Sequence, residues 1–295
     1  MKVISRRDML ALSVAGFGAM ALAGMTGAPA HAAGASKRIV TLGGDITEIV
    51  YALGQGGQIA GRDATSTYPP EVEKLPDVGY FRQLGAEGVL SLRPGLILAS
   101  ASAGPPEVIQ QLRSAGVEIV QLAEGHSEAS LLSKVKRIAE ALGVPAQGEA
   151  LAARLEGEMK AAKQAVAVMP GRPRVLFIIN AGSGAPMAAG RETAADALIT
   201  LAGAENVFSD QTGYKAISLE AAAAAAPQAI ALMDQTLASI GGVDGVATHP
   251  ALRLTPAAKT KRIFARPGSY LLSFGPRLPE AIVDFARAVR QEGSL

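Results

Sequence analysis

The chain has no cysteine in its 295 residues. That excludes disulfides, thiolate metal sites and a thiol nucleophile. It also excludes a lipid anchor of the bacterial lipoprotein kind. Histidine is nearly as scarce, with three in all. His31 lies close to the N-terminus, and His126 and His249 are too few and too badly spaced for a zinc cluster. No Gly-x-Ser-x-Gly nucleophile elbow is present, and no set of acid, base and nucleophile suggests an enzyme. Gly43-Gly44-Asp45 resembles half a phosphate loop but lacks the full glycine fingerprint and the lysine of a P-loop. A charge excess is missing too. Without residues 1–32 the chain keeps 25 basic and 25 acidic residues, so it lacks the basic footprint that nucleic acid requires.

The N-terminus is read as an export signal over 1–32. Ser5-Arg6-Arg7-Asp8 precedes an apolar run from Ala11 to Met25, and Ala30-His31-Ala32 offers small residues for cleavage. The run is short for a bilayer span. The paired arginines suggest the twin-arginine route, with an ordinary Sec signal as the alternative. A soluble periplasmic protein is expected after cleavage. A composition 49% hydrophobic and 18% charged is that of a globular protein.

Alternating apolar runs and helical patterns imply an α/β fold of two doubly wound parallel-sheet lobes joined by one long helix. Residues 37–144 form the N-terminal lobe. Its first strand is Arg38–Leu42, followed by a helix that Asp45 or Thr47 can cap. Ser127 opens its last helix. Residues 145–170 read as one linker helix, bounded by Pro145 and Pro170 and rich in Ala, Leu, Glu and Lys. Residues 171–295 form the second lobe. Its strand at Arg174 runs into a flexible Gly/Ala loop from Asn180 to Gly190, and Thr193 caps the next helix.

One unit occurs twice. LGAEGVLSLRPGLIL, from Leu84 to Leu98, is echoed by ISLEAAAAAAPQAIAL, from Ile217 to Leu232. In each copy a glutamate precedes a proline by seven residues, and a Gly-Tyr pair stands upstream (Gly79-Tyr80, Gly213-Tyr214). Glu87 and Glu220 thus open equivalent helices. They suit a helix N-terminus as anions, or a two-fold partner bearing arginines.

Tyr68 is the sharpest candidate for binding chemistry. Pro69 keeps it off helical backbone, and a tyrosinate is a known axial ligand of haem iron. The plain alternative is a surface tyrosine packed on proline. Arg82, Arg191 and Tyr270 fall in loops that can face a cleft, and arginine suits carboxylates. Met187, in the Gly/Ala loop, is a further candidate for contact with an apolar macrocycle or its metal.

Taken together, TSTYP, LPDVGYFR, LGAEGVLSLRPGLILAS, AAGRETAADALITLAG and YLLSFGPRLPEA resemble the helical-linker periplasmic substrate-binding proteins (class III) of bacterial ABC importers, and within them the haemin-binding subgroup. The resemblance covers essentially all of the chain beyond the signal. It implies a monomer that carries haem b in an inter-lobe cleft to a permease dimer with its ATPase, with no catalytic cofactor and no nucleic acid. By the same resemblance Tyr68 of the S-x-Y-P loop ligates haem iron, and Glu87 and Glu220 meet permease arginines. Arg82, Arg191, Tyr270 and Met187 remain cleft and propionate candidates. Some members add a histidine ligand from the loop after the second lobe's first strand. NAGSGAPM has none, so a five-coordinate iron, or a weak sixth ligand such as water or Met187, is expected. Cobalamin or a ferric siderophore is the alternative cargo. An exported enzyme loaded with cofactor before twin-arginine transport is a further one.

Overall fold

Short aliphatic runs become buried strands, and the polar or glycine-rich joints between them become the loops of one edge. The computed structural model describes residues 38–181 and 184–291. The expected signal over 1–32 lies outside the described residues. The first half runs β1 (Ile39–Leu42), α1 (Gly44–Ala52), β2 (Ile59–Arg62), α2 (Ala86–Ser91), β3 (Leu96–Ser100), α3 (Pro106–Ser114), β4 (Glu118–Leu122) and α4 (Glu128–Ala141). Its four strands form one sheet in the order β2-β1-β3-β4, and every pair is parallel. β1 and β3 are buried along their whole length, as strands covered on both faces must be.

The long helix α5 (Pro145–Ala167) follows. At 1.5 Å per residue it is roughly 34 Å long. Its buried stripe is Leu151, Leu155, Met159, Ala162 and Val166, a spacing of three and four residues that keeps one face inward. It packs on α4 of the first half and on α12 (Leu278–Ala288) of the second. Gly148 allows the approach to α4, because a Cβ there would lie 2.4 Å from the Ala139 methyl.

The second half runs β5 (Arg174–Asn180), β6 (Met187–Ala189), α6 (Ala194–Leu201), β7 (Glu205–Asn206), β8 (Tyr214–Ala216), α7 (Leu219–Ala225), β9 (Ala229–Met233), α8 (Asp234–Ser239), α9 (Gly242–Thr248), α10 (Pro256–Lys259), β10 (Ile263–Arg266), α11 (Gly268–Leu272) and α12. Its sheet has the order β10-β9-β5-β6-β8, with β7 paired to β5. β10, β9, β5 and β7 are parallel. β6 and β8 are antiparallel additions, so this lobe is parallel only in its centre. Within the stretch expected to be a flexible Gly/Ala loop, Asn180 ends β5 and Met187–Ala189 return antiparallel to it as β6, so Met187 stands on a strand. Three short helices, α8, α9 and α10, lie within residues 234–259.

Ser127 and Thr193 cap α4 and α6 as the sequence predicts, each accepting a backbone N–H 3.1 Å away. The α1 cap differs. Gly43 is the N-cap, and Asp45 and Thr47 lie inside the first turn. The Thr47 hydroxyl instead bonds Thr41 and Ser66, each at 2.7 Å. One hydrophobic core runs through both halves and α5, joining Ile49 and Leu98 to Leu155, Met159, Phe177 and Phe285. Both sheets and the linker thus belong to one compact unit.

Candidate ligand-binding site

The loop that carries Tyr68 is built on a buried carboxylate. Asp63, fully buried, follows β2. One of its oxygens accepts the Gly43 N–H at 3.0 Å and the Ser66 hydroxyl at 2.7 Å. The other accepts the Thr65 N–H at 2.9 Å and its hydroxyl at 2.6 Å. These bonds tie residues 63–66 to the carboxyl end of β1, where open parallel sheets place ligands. Tyr68 leaves this anchored turn with a cis bond to Pro69. The residue is 42% exposed.

The second half closes over this loop with residues 267–277. Thr67 and Ser269 pair through their hydroxyls at 3.0 Å. Gly275 fits against Asp45, since a Cβ there would lie 3.3 Å from the Asp45 Cα. Arg277 then reaches the centre of the seam. Its Nη2 and Nε donate to the two Glu48 oxygens at 2.6 and 3.0 Å. Its guanidinium carbon sits 3.9 Å from the Tyr68 ring centroid and 5.1 Å from that of Tyr270. One cation from the second half therefore holds a carboxylate of the first and lies on a tyrosine from each.

The charges of this cluster are unevenly placed. Burial pushes Glu48 up, and Arg277 offsets that only in part. Burial opposes the charge on Arg277, yet Glu48, Tyr68 and Tyr270 raise its affinity for the proton overall. The bidentate geometry is that of an ion pair. Tyr270 is held well above its ordinary value, first by burial and then by Glu280 and Asp284. The neutral phenol is thereby favoured at Tyr270.

Two grooves flank the cluster. One, of about 830 Å³, runs past Tyr51, Tyr68, Pro69, Ala161, Ala165 and Pro279. The other, of about 650 Å³, has Tyr270 and Arg277 with Arg266, Glu280, Asp284 and Arg287 on its walls. Both fall within the roughly 300–1,000 Å³ common for small-ligand sites. The first mixes these apolar walls with Glu71, Arg154, Glu158 and Glu280. The second is lined by charge of both signs, and its Arg266–Asp284 pair is closed at 3.1 Å.

Arg82 belongs to a different part of the seam. It donates to Ser102 at 3.1 Å and to the Tyr80 hydroxyl at 2.6 Å, and lies 3.7 Å from Glu124. Glu124 also accepts from Ser100 at 2.5 Å and from Ser102. His126 packs against Phe274 of the second half, the ring centroids 5.4 Å apart and the planes tilted by 58°, and burial lowers its pKa. Tyr214 is raised by burial, against the pull of Thr193 and the charge of Arg82. Arg191 is exposed beside β8, its backbone bonded to Gln211. Met187 is half-buried on β6. His249 accepts the Ala251 N–H within its own turn. Of the sequence candidates, only Tyr68 and Tyr270 meet at the Arg277 cluster.

Glu48 and Arg277 are the residues that sequence reasoning missed. The signal for Glu48 is a lone carboxylate in a helix otherwise buried from Ile46 to Val50, since an unpaired charge is seldom kept inside. Arg277, between Pro276 and Pro279, carries no local signal of its own. Glu87 and Glu220 are both exposed in the first turns of α2 and α7.

Residues 39–270 match the family described as Periplasmic binding protein. This chain belongs to that family. Among solved structures it is similar to the periplasmic haem-binding protein RhuT from Roseiflexus sp. RS-1, at 43% identity and a TM-score of 0.84 over 86% of this chain and 98% of that one. It is similar to the periplasmic haem-binding protein BhuT in complex with two haems, at 41% identity and a TM-score of 0.82 over 86% and 97%. A vitamin B12-binding protein of Pectobacterium atrosepticum is 30% identical over 66% of this chain and 70% of its own. The Arg277 cluster, flanked by its two grooves, is the candidate ligand site of this chain. Among the described residues no group of three or more His, Asp or Glu side chains is placed to hold a bare metal ion.

Proposed function

We propose that this protein captures haem in the periplasm and delivers it to an inner-membrane ABC importer. The observation that carries the reading is Tyr68, a half-exposed phenol on an anchored loop with the Arg277 cation against its ring. A phenolate is a hard ligand for ferric iron, and the Arg277 guanidinium carbon lies 3.9 Å from the Tyr68 ring centroid. The two haem-binding neighbours above 40% identity support the same cargo. The porphyrin, as haem b, lies against the apolar groove walls. Arg287 and Arg266 join Arg82, Arg191 and Tyr270 as propionate candidates, and Met187 remains a candidate contact. The iron is five-coordinate or takes a weak sixth ligand. The protein acts as a monomer, performs no chemistry and is free in the periplasm after signal cleavage. Glu87 and Glu220 dock it on the permease dimer.

The test is a titration of the purified protein with haemin. A shifted Soret band that saturates, and a band altered with weakened binding in Tyr68→Ala, is the expected result. No Soret shift, or an unchanged spectrum and affinity in Tyr68→Ala, overturns the reading. Cobalamin is the second reading, favoured by the vitamin B12-binding relative. Competition of cobalamin against haemin decides between them, because only the true cargo displaces the other at equal concentration.

A further inference from the structure

A second polar cluster stands at the carboxyl ends of β3 and β4. Arg82 donates from Nε to the Ser102 hydroxyl at 3.1 Å and from Nη1 to the Tyr80 hydroxyl at 2.6 Å. Its guanidinium carbon lies 4.6 Å from the Phe81 ring centroid. A guanidinium carries five N–H donors in one plane. Two are spent on Ser102 and Tyr80. The others, both of Nη2 and one of Nη1, have no acceptor within hydrogen-bond distance among the described residues. Glu124 Oε1 stands 3.7 Å from Nη2, too far for a hydrogen bond.

Ser102 accounts for that gap. Its hydroxyl accepts from Arg82 and donates its one proton to Glu124 Oε1, which also takes the Ser100 hydroxyl at 2.5 Å. One oxygen thus bridges the cation and the anion. The Glu48–Arg277 pair has no such bridge, and there Nε and Nη2 close on the carboxylate at 3.0 and 2.6 Å. Arg82 turns the same two nitrogens toward Ser102 and Glu124 and stops short of the acid. The cluster borders the seam between the halves. His126, two residues after Glu124, packs against Phe274 of the second half. Tyr214 of β8 lies within reach of the Arg82 charge, and the Arg82 side chain is 49% exposed.

We infer that Ser102 is a positioning residue, a spacer that keeps Arg82 from closing on Glu124, and that the open side of Arg82 is the subsite where this chain reads a carboxylate on the rim of its ligand. The inference rests on the reading of the seam as the ligand site, and it narrows the several carboxylate candidates to one. A free guanidinium edge suits a carboxylate by charge and by geometry. A rim of amides or esters gains no ion pair there, so the subsite favours an acidic porphyrin over a ligand with a neutral rim. Were Arg82 closed on Glu124, its charge would be spent within the protein. The spacer thus holds the cation near its counter-charge without surrendering it.

The experiment has two arms. In the first, haemin and haemin dimethyl ester are titrated into the full chain in one detergent-containing buffer, and the ratio of their affinities is the readout. The native ratio is expected to favour the diacid by about tenfold or more, the worth of charged hydrogen bonds. Arg82→Gln is expected to lose most of that preference. Ser102→Ala is expected to lose it as well, because Arg82 then closes on Glu124. Ser102→Thr keeps the hydroxyl and is expected to keep the ratio. Ser102→Ala combined with Glu124→Gln is expected to recover most of it, since no carboxylate is left for Arg82 to close on. A native ratio near one, a ratio unmoved in Arg82→Gln or Ser102→Ala, or a double variant no better than Ser102→Ala overturns the inference and leaves haemin binding standing. The second arm needs no ligand. A crystal structure of Ser102→Ala is expected to show Arg82 nitrogens within about 3 Å of Glu124. An Arg82 that keeps its native distance refutes the spacer. Protein that binds neither porphyrin refutes the haem reading, and with it the carboxylate subsite, while the second arm still decides the role of Ser102.

Discussion

Arg93, at φ 47°, and Ala226, at φ 44°, hold the same left-handed corner in two copies of one unit. Each stands between a short helix, α2 or α7, and a proline that leads into a buried strand, β3 or β9. The upstream glycines Gly79 and Gly213 are matched as well, at φ 89° and 74°. The duplicated sequence is thus a duplicated backbone. It presents Glu87 and Glu220 at equivalent places, each exposed in the first turn of its helix.

That equivalence predicts a docking effect that needs both residues. Glu87→Arg with Glu220→Arg is expected to abolish ATP hydrolysis stimulated in a reconstituted permease. Haemin affinity is expected to stay within about twofold, because neither side chain touches the Arg277 cluster and exposed charges contribute little to the fold. Full stimulation by the double variant would reduce both residues to anions placed at helix N-termini.

A second consequence concerns stability. A left-handed alanine is disfavoured by roughly 1 kcal/mol, whereas glycine adopts that backbone freely at a cost in unfolded-chain entropy. Ala226→Gly is therefore expected to be neutral or to stabilise by up to about 1 kcal/mol in urea unfolding. A loss of more than that would mean the Ala226 methyl makes packing contacts that matter more than the strain.

Much of this arrangement is readable along the chain, and the reasons are local. Ser127 and Thr193 announce their helices because a cap acts within three residues. Pro145 and the run of helix formers announce α5 because propensity adds up along a segment. Strands β1, β3, β5 and β9 announce themselves as apolar runs. What escaped depends on distant partners. β6 (Met-Ala-Ala) and β8 (Tyr-Lys-Ala) are too short to carry a pattern, and they pair because β5 offers a free side to β6. Thr47 looks like a cap but is drawn into a buried hydroxyl cluster with Thr41 and Ser66, residues brought to it by the fold. Glu48 and Arg277 carry opposite charges in two halves of the chain, and nothing in either neighbourhood names the other. The Tyr68 loop stands out along the chain; the Glu48–Arg277 pair that lies against it does not.

The loop itself predicts a strong dependence on Asp63. Its two oxygens receive four donors, two of them backbone N–H groups. Asp63→Ala leaves these donors without their acceptor, at about 1–3 kcal/mol for each buried group left unsatisfied. A destabilisation of about 3 kcal/mol or more is expected in urea unfolding, together with weakened haemin binding as Tyr68 loses its mooring. Thr67→Ala removes only the bond to Ser269 and is expected to cost about 1 kcal/mol or less. Equal effects of the two substitutions would show that Asp63 does not carry the loop.

Arg277 ties the two halves together, and its removal should be felt most at high pH. Deleting one partner of a buried ion pair typically costs about 3–5 kcal/mol, because the other charge stays buried alone. In Arg277→Ala that charge is Glu48. Its folded-state pKa already lies above the ordinary carboxylate value of 4.5, first through burial, with Arg277 pulling it back down. Without the arginine the pull disappears and the pKa rises further. A carboxyl that binds its proton more tightly when folded gives stability that is present below pH 4.5 and is lost as pH rises through the folded value. The deficit of Arg277→Ala relative to the native protein is therefore expected to be small near pH 4 and to grow toward pH 8. Urea midpoints across that range measure it directly. Glu48→Gln in the same background should flatten the dependence, since a buried amide has no proton to lose. A deficit of constant size from pH 4 to 8 would mean that Glu48 escapes to water once its partner is gone, and that the seam is held by the Thr67–Ser269 and His126–Phe274 contacts instead.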